Sequence, residues 1–172
     1  MKTLRLVLIG LVAMLACQVS AQKIVKGNLK FLKGETMLHC EFDYSETSML
    51  GYSKAEFDEW KETLGQDSSY YAKRFFNGII DELGRRFLVI GNYPRAKYQM
   101  IVHVLQIADN GDINAVCEFS LMGETDPLCT MLLKGSGGHI GSILSLIGDG
   151  MNDMGENLGD VLRKKTRGKA KK

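Results

Sequence analysis

Between Ile140 and Val161 two stripes of residues run side by side at helical spacing. Ile140, Ile143, Leu144, Ile147, Met151, Met154, Leu158 and Val161 make an apolar stripe. Gly141, Ser145, Gly148, Asn152, Gly155 and Gly159 make a second one of small or short residues, spaced four, three, four, three and four. Each interior glycine costs a helix about 1 kcal/mol against alanine. Several in register therefore call for close approach to a sheet or to another helix. A membrane span with small-residue packing uses the same device, but Asp149, Asp153, Glu156 and Asp160 would each be expensive inside lipid. The pattern predicts a long surface helix laid closely against a sheet through its small-residue stripe.

The sequence before it supplies that sheet. Residues 24–33 and 36–44 alternate, with Leu38, Cys40, Phe42 and Tyr44 on one side and His39, Glu41 and Asp43 on the other. Alternation of this kind marks half-buried strands, and Lys33-Gly34-Glu35 reads as the turn of an amino-terminal hairpin. Ser53 and Glu56 form a capping box with Tyr52 and Phe57 as staple, and Phe57, Trp60 and Leu64 continue a helical face to Gly65. A second helix is expected from about Asp67 to Leu83, with Ala72, Phe75, Phe76, Ile79 and Leu83 inward and Gly84 ending it. Strands follow at Phe87–Gly91, Lys97–Ala108, 113–121 and Leu128–Leu133. Asn110-Gly111 suits a tight hairpin turn, because both residues tolerate positive φ. The whole reads as a single α+β domain. Its antiparallel or mixed sheet of about five to six strands is packed by two mid-chain helices and the long Gly-striped carboxy-terminal helix.

The two ends read differently from the body. Lys2 and Arg5 precede an apolar run from Leu6 to Ala16, and Val19-Ser20-Ala21 closes the segment. These are the marks of a secretory signal, residues 1–21, cut after Ala21. The run is shorter than the roughly 20 apolar residues a span needs, and no transmembrane span is expected in the mature chain. Met14-Leu15-Ala16-Cys17 is an imperfect lipobox, so a lipoprotein anchored at Cys17 is the alternative form of the same export. Of 22 basic residues, two lie in the signal and seven in the tail 163–172, leaving thirteen against 20 acidic groups in the body 22–162, a net of −7. A nucleic-acid-binding body is excluded by that charge. The tail is a like-charge block of the kind that stays disordered. In an exported protein Lys164, Lys165, Arg167, Lys169, Lys171 and Lys172 are candidates for contact with an anionic envelope surface, beside a merely solubilising role.

Three cysteines, Cys40, Cys117 and Cys129, remain after such a cut. The strand reading sets Cys117 and Cys129 opposite each other across a hairpin, where either a disulfide or two packed thiols would serve. No cysteine or histidine spacing suits zinc, and Asp109 with Asp112 lacks the spaced oxygen ligands of a calcium loop. No metal and no cofactor are expected. Gly135-Ser136-Gly137-Gly138-His139 lies between a strand and a helix, where phosphate-binding loops lie, and these five residues are the ligand-binding candidates. No Gly-Lys-Ser/Thr closes the loop as in a P-loop, and Lys134 stands where a nucleophile elbow needs glycine. Of the three histidines only His139 occupies a cleft-like position; no catalytic residue is assigned.

The order of elements, with the strand Lys97-Tyr98-Gln99-Met100-Ile101-Val102-His103-Val104 before a tight turn and a Gly-rich entry into the last helix, resembles small periplasmic α+β modules. The TolB amino-terminal domain and the curli-secretion lipoprotein family typify them. Gly148-Asp149-Gly150-Met151 and Gly155-Glu156-Asn157-Leu158-Gly159 are similar to runs in secreted Bacteroidetes proteins. The likeness covers roughly residues 70–165 and transfers no site residues. It implies an exported, periplasmic or secreted, non-enzymatic module that binds or helps assemble another envelope protein or glycan. A secreted hydrolase using His139 is the runner-up, and a peripheral binder working through the tail is the third reading.

Overall fold

The computed structural model describes residues 22–50, 55–56, 68–84 and 88–166. The expected signal, tail residues 167–172 and all of the expected helix at Ser53–Leu64 except residues 55–56, which are helical, lie outside these. The described chain is a single α+β domain with a seven-stranded mixed sheet and two helices on one of its faces. The strands are β1 (Lys23–Gly27), β2 (Met37–Asp43), β3 (Ser48–Met49), β4 (Val89–Gly91), β5 (Tyr98–Ile107), β6 (Ile113–Leu121) and β7 (Cys129–Gly135). The helices are α1 (Ser68–Leu83) and α2 (Ile143–Thr166).

The order across the sheet is β1-β7-β6-β5-β2-β4, with β3 pairing the far end of β5. β5, β6 and β7 form an antiparallel meander, and of the Asn-Gly pair in its first turn only Gly111 takes a positive φ, +82°. β2 runs parallel to both β5 and β4. The amino-terminal hairpin does not form. β1 pairs antiparallel with β7 at one edge, whereas β2 lies between β5 and β4 near the other. The reason lies in the link. Residues 30–32 turn as a short 3-10 helix, and Leu29 and Leu32 are buried in the core, so the connection is itself core material. Phe31 packs tilted against Tyr98 and edge-on against Phe119 on the way.

Side-chain alternation builds one face of this sheet from Leu38, Cys40, Met100, Val102, Val104, Cys117, Phe119 and Met131, all buried. Phe75, Ile79 and Leu83 of α1 and Ile147, Met151, Met154 and Leu158 of α2 close over it in one cluster. Ile140, expected in the apolar stripe, precedes α2 and is 91% exposed. The three cysteines are free thiols within this core. Cys117 faces Met131, and Cys129 faces Phe119, so the expected Cys117–Cys129 pair is a diagonal one. Diagonal neighbours in such a ladder stand roughly 7–8 Å apart, beyond ordinary disulfide reach.

The small-residue stripe packs against α1 and not, as expected, against the sheet. A Cβ on Gly155 would stand 2.1 Å from the Phe75 carbonyl oxygen, and one on Gly78 of α1 would stand 2.1 Å from that of Asn152. Gly148 lies under the Tyr70 ring and Gly159 against Ile79 and Glu82. The two helices thus run parallel with their backbones nearly touching. Arg74 binds the Gly148 carbonyl and Asp149, and Arg163 binds Glu82 at 3.1 Å, one ion pair toward each end. The sheet is approached through a different glycine. A Cβ on Gly150 would meet the Gly111 carbonyl oxygen at 2.2 Å.

Candidate functional site

The Gly-rich loop leaves β7 at Gly135 and enters α2 at Ile143. Its glycines permit a three-way backbone junction. A Cβ on Gly135 would stand 1.9 Å from the Gly150 carbonyl oxygen, and one on Gly137 equally close to that of Asn110. Two of the amides that a phosphate would need are engaged within the chain. The Ser136 N–H donates to Asp153 Oδ2 at 2.8 Å, and the Gly137 N–H donates to Asp112 Oδ1 at 2.8 Å. Gly138 lies against the carboxylate of Asp149. An anion entering here would meet three carboxylates. His139 is exposed and, among the described residues, forms no hydrogen bond. At the far end of α2, Lys164 is exposed and paired with Asp160, and Lys165 is exposed. Arg167, Lys169, Lys171 and Lys172 lie outside the described residues. The loop thus precedes the start of α2, whereas Lys164 and Lys165 stand in its last turn.

What the structure does gather is on the other face of the sheet. Among the described residues no helix covers that face. Side chains there follow the alternate parity of the strands. One row across it holds His39, Gln99 and Ser120, the next Glu41, Ile101, Glu118 and Thr130, and the next Asp43, His103, Val116 and Leu132. His103 sits between two carboxylates from the strands on either side. Its Nδ1 is 2.9 Å from Asp43 Oδ2, and its Nε2 is 3.8 Å from Glu118 Oε2. Those two carboxylates, Glu118 foremost, outweigh burial and raise the His103 pKa above the ordinary imidazole value. Burial works to raise the Asp43 pKa, but hydrogen bonds from Ser45 and the His103 ring outweigh it and hold the carboxyl below its usual range. Gln99 ties the same face to the β6–β7 turn, donating to Ser120 Oγ and the Glu124 carbonyl, each at 3.0 Å, while accepting from the Gly123 N–H.

His39 has another task. It is 4% exposed, and its Nδ1 accepts the Tyr93 N–H at 3.0 Å. A backbone N–H can only donate, so Nδ1 carries the lone pair and the proton sits on Nε2, 2.8 Å from Glu41 Oε1. The contact holds the link from β4 to β5, residues 92–97, across β2 on this face. That link is short because Tyr93-Pro94-Arg95-Ala96 is a tight turn, closed by the Ala96 N–H on the Tyr93 carbonyl at 2.8 Å. Gly91 leaves room for the Tyr93 ring, which a Cβ there would meet at 3.3 Å.

Chemically this face is a sheet of cross-strand polar pairs. The flanking carboxylates raise the pKa of the His103 imidazole and so favour its protonated form over the free base. Among the described residues no three His, Cys, Asp or Glu side chains converge as metal ligands do, and no helix is long and apolar enough to cross a membrane. The alternation that set His39, Glu41 and Asp43 on one side of their strand was the available signal for this cluster. Its partners His103 and Glu118 could not be added, because register across three strands is not written in any one of them.

No family model matches the chain, and no curated protein matches it. Among solved structures it is similar to the PelC dodecamer from Paraburkholderia phytofirmans, at 8% identity and a TM-score of 0.43, over 80% of this chain and 95% of that one. A single-substitution variant of the same PelC dodecamer is similar at 9% identity and a TM-score of 0.39, over the same shares. At that level the likeness carries no argument about fold or function.

Proposed function

We propose that this chain is an exported protein that binds another component of the cell envelope, a protein or a glycan, without acting on it chemically. The observation that carries the reading is the division of the sheet. Both described helices lie on one face, and the other carries cross-strand polar pairs, with Glu41 64% exposed at its surface and His39, Ser120, Val116 and Leu132 buried beneath. Such a surface suits recognition better than catalysis. Residues 1–21, with their charged start, apolar run and closing Val19-Ser20-Ala21, support export. The hydrolytic alternative rests on His139, an exposed side chain on a loop engaged in packing.

The test replaces exposed residues of the open face and leaves the core intact. Glu41→Arg and Met37→Asp together are expected to release the protein from the envelope fraction of its host while its thermal unfolding stays within a few degrees. Unchanged association would remove the open face from the proposal. A second reading, contact with an anionic envelope surface through the tail, is favoured by the exposure of Lys164 and Lys165 at the end of α2. Deleting residues 164–172 should then abolish association at low salt, where electrostatic contacts are strongest; association that persists would exclude it.

A further inference from the structure

Lys23 stands opposite Leu132 in the register of β1 on β7. In a continuous antiparallel ladder, the rung facing Lys134 would belong to the residue before Gln22. It is made instead by the Gln22 side chain. Gln22 Nε2 donates to the Lys134 carbonyl oxygen at 3.0 Å, and Gln22 Oε1 accepts from the Lys134 N–H at 3.2 Å. A side-chain amide offers the same donor and acceptor as a peptide group, so the edge of β7 is satisfied as a further strand residue would satisfy it. Gln22 itself has a φ of +38°, a left-handed backbone uncommon outside glycine. Gln22 is the first residue after the expected cut.

We propose that Gln22 is the amino-terminal residue of the processed domain and that its clasp on Lys134 protects it from cyclising to pyroglutamate. The proposal rests on the export reading above. An amino-terminal glutamine cyclises when its α-amine attacks Cδ of its own side chain. A bond forms between the α-nitrogen and Cδ, the Cδ–Nε2 bond breaks, and Nε2 leaves as ammonia with a proton taken from the amine. No oxidant or other reactant is needed. The attack requires the side chain to fold back onto the α-nitrogen, and in the clasp both amide atoms are held by Lys134. Both hydrogen bonds must open before Cδ can be reached.

The full chain with its leader, expressed in a bacterial host and recovered from the exported fraction, provides the test. Its intact mass is followed during incubation in native buffer and in guanidinium. The expected result is a chain beginning at an open Gln22 that loses one ammonia at least about tenfold more slowly folded than unfolded. Equal rates, or a chain already fully cyclised on recovery, would overturn the clasp and leave export standing. A chain beginning at a lipidated Cys17 would overturn the boundary alone, and one beginning at Met1 would overturn the export reading with it. Hydrogen exchange at the Lys134 amide tests the clasp independently of processing. Gln22→Ala is expected to speed that exchange about tenfold, and unchanged exchange would refute the rung.

Discussion

The two faces of the sheet are made by the same strands under opposite rules. On the helix-covered face, contact is decided by shape. Phe119, Met100 and Cys117 are fully buried, and α1 meets α2 so closely that Gly78 and Gly155 leave room for no side chain. On the open face, contact is decided by pairing. His103 is held by Asp43 and Glu118, His39 by Tyr93 and Glu41, and Gln99 by Ser120 and the β6–β7 turn. The first face supplies most of the stability, because packing errors there cannot relax. The second supplies register, because each polar pair is satisfied in only one alignment of the strands.

Four measurements would break or sharpen that contrast. The largest effect is expected from Gly155→Val, whose side chain would enter the Phe75 backbone. It should destabilise the fold by about 3 kcal/mol or more in chemical denaturation, and a loss under about 1 kcal/mol would mean that α1 and α2 are not closely packed. Next is His39→Ala on the open face. It removes the side-chain acceptor of the Tyr93 N–H, which keeps the Gly91 carbonyl at 3.0 Å, and should cost about 1–1.5 kcal/mol. A neutral result would show that the 92–97 link holds itself across β2.

The third is a pH dependence. The His103 pKa is raised on folding, so its stabilisation is complete below the unfolded value of about 6.5 and is lost as pH rises through the folded pKa. The Asp43 pKa is lowered, so its share is present above an unfolded value of about 3.9 and is lost as pH falls through the folded pKa. Both groups are partly exposed, and after screening the combined effect should stay near about 1 kcal/mol. Denaturation midpoints measured from pH 6 to 9 should decline for the native chain and stay flat for His103→Gln. Parallel curves would remove His103 from the account. The smallest effect belongs to Asp160→Asn. Lys164 and Arg163 hold the Asp160 carboxyl below its usual range, yet this surface pair should be worth less than about 0.5 kcal/mol. A larger loss would mean that Arg163 reaches Glu82 only with help from Asp160.

Much of the first face was legible. Period-two alternation located β2, β5 and β6, and Gly84 was recognised as the end of α1, where its φ is +77° and its N–H reaches the Ile80 carbonyl. The apolar stripe of α2 was read correctly from Ile147 to Leu158, all of it core. The small-residue stripe was also legible as a close-contact surface, and its partner was not. A glycine reports that something approaches, and sheet or helix would leave the same trace. The candidate loop was ambiguous for a related reason. Gly135, Gly137 and Gly138 suit an anion cradle and a backbone junction equally, and only Asp112 and Asp153 on its amides distinguish the two.

By itself, then, the sequence determined the periods, the turns and the α+β class, because these depend on residues close together in the chain. The tertiary structure decided strand order, the separation of β1 from β2, the diagonal offset of Cys117 from Cys129 and the convergence of Asp43, His103 and Glu118. Each of these joins residues distant in sequence, and alternation within one strand is the same for any neighbour that burial allows. The choice falls to the packing of the whole, where buried Leu29 and Leu32 make even a connecting turn part of the core.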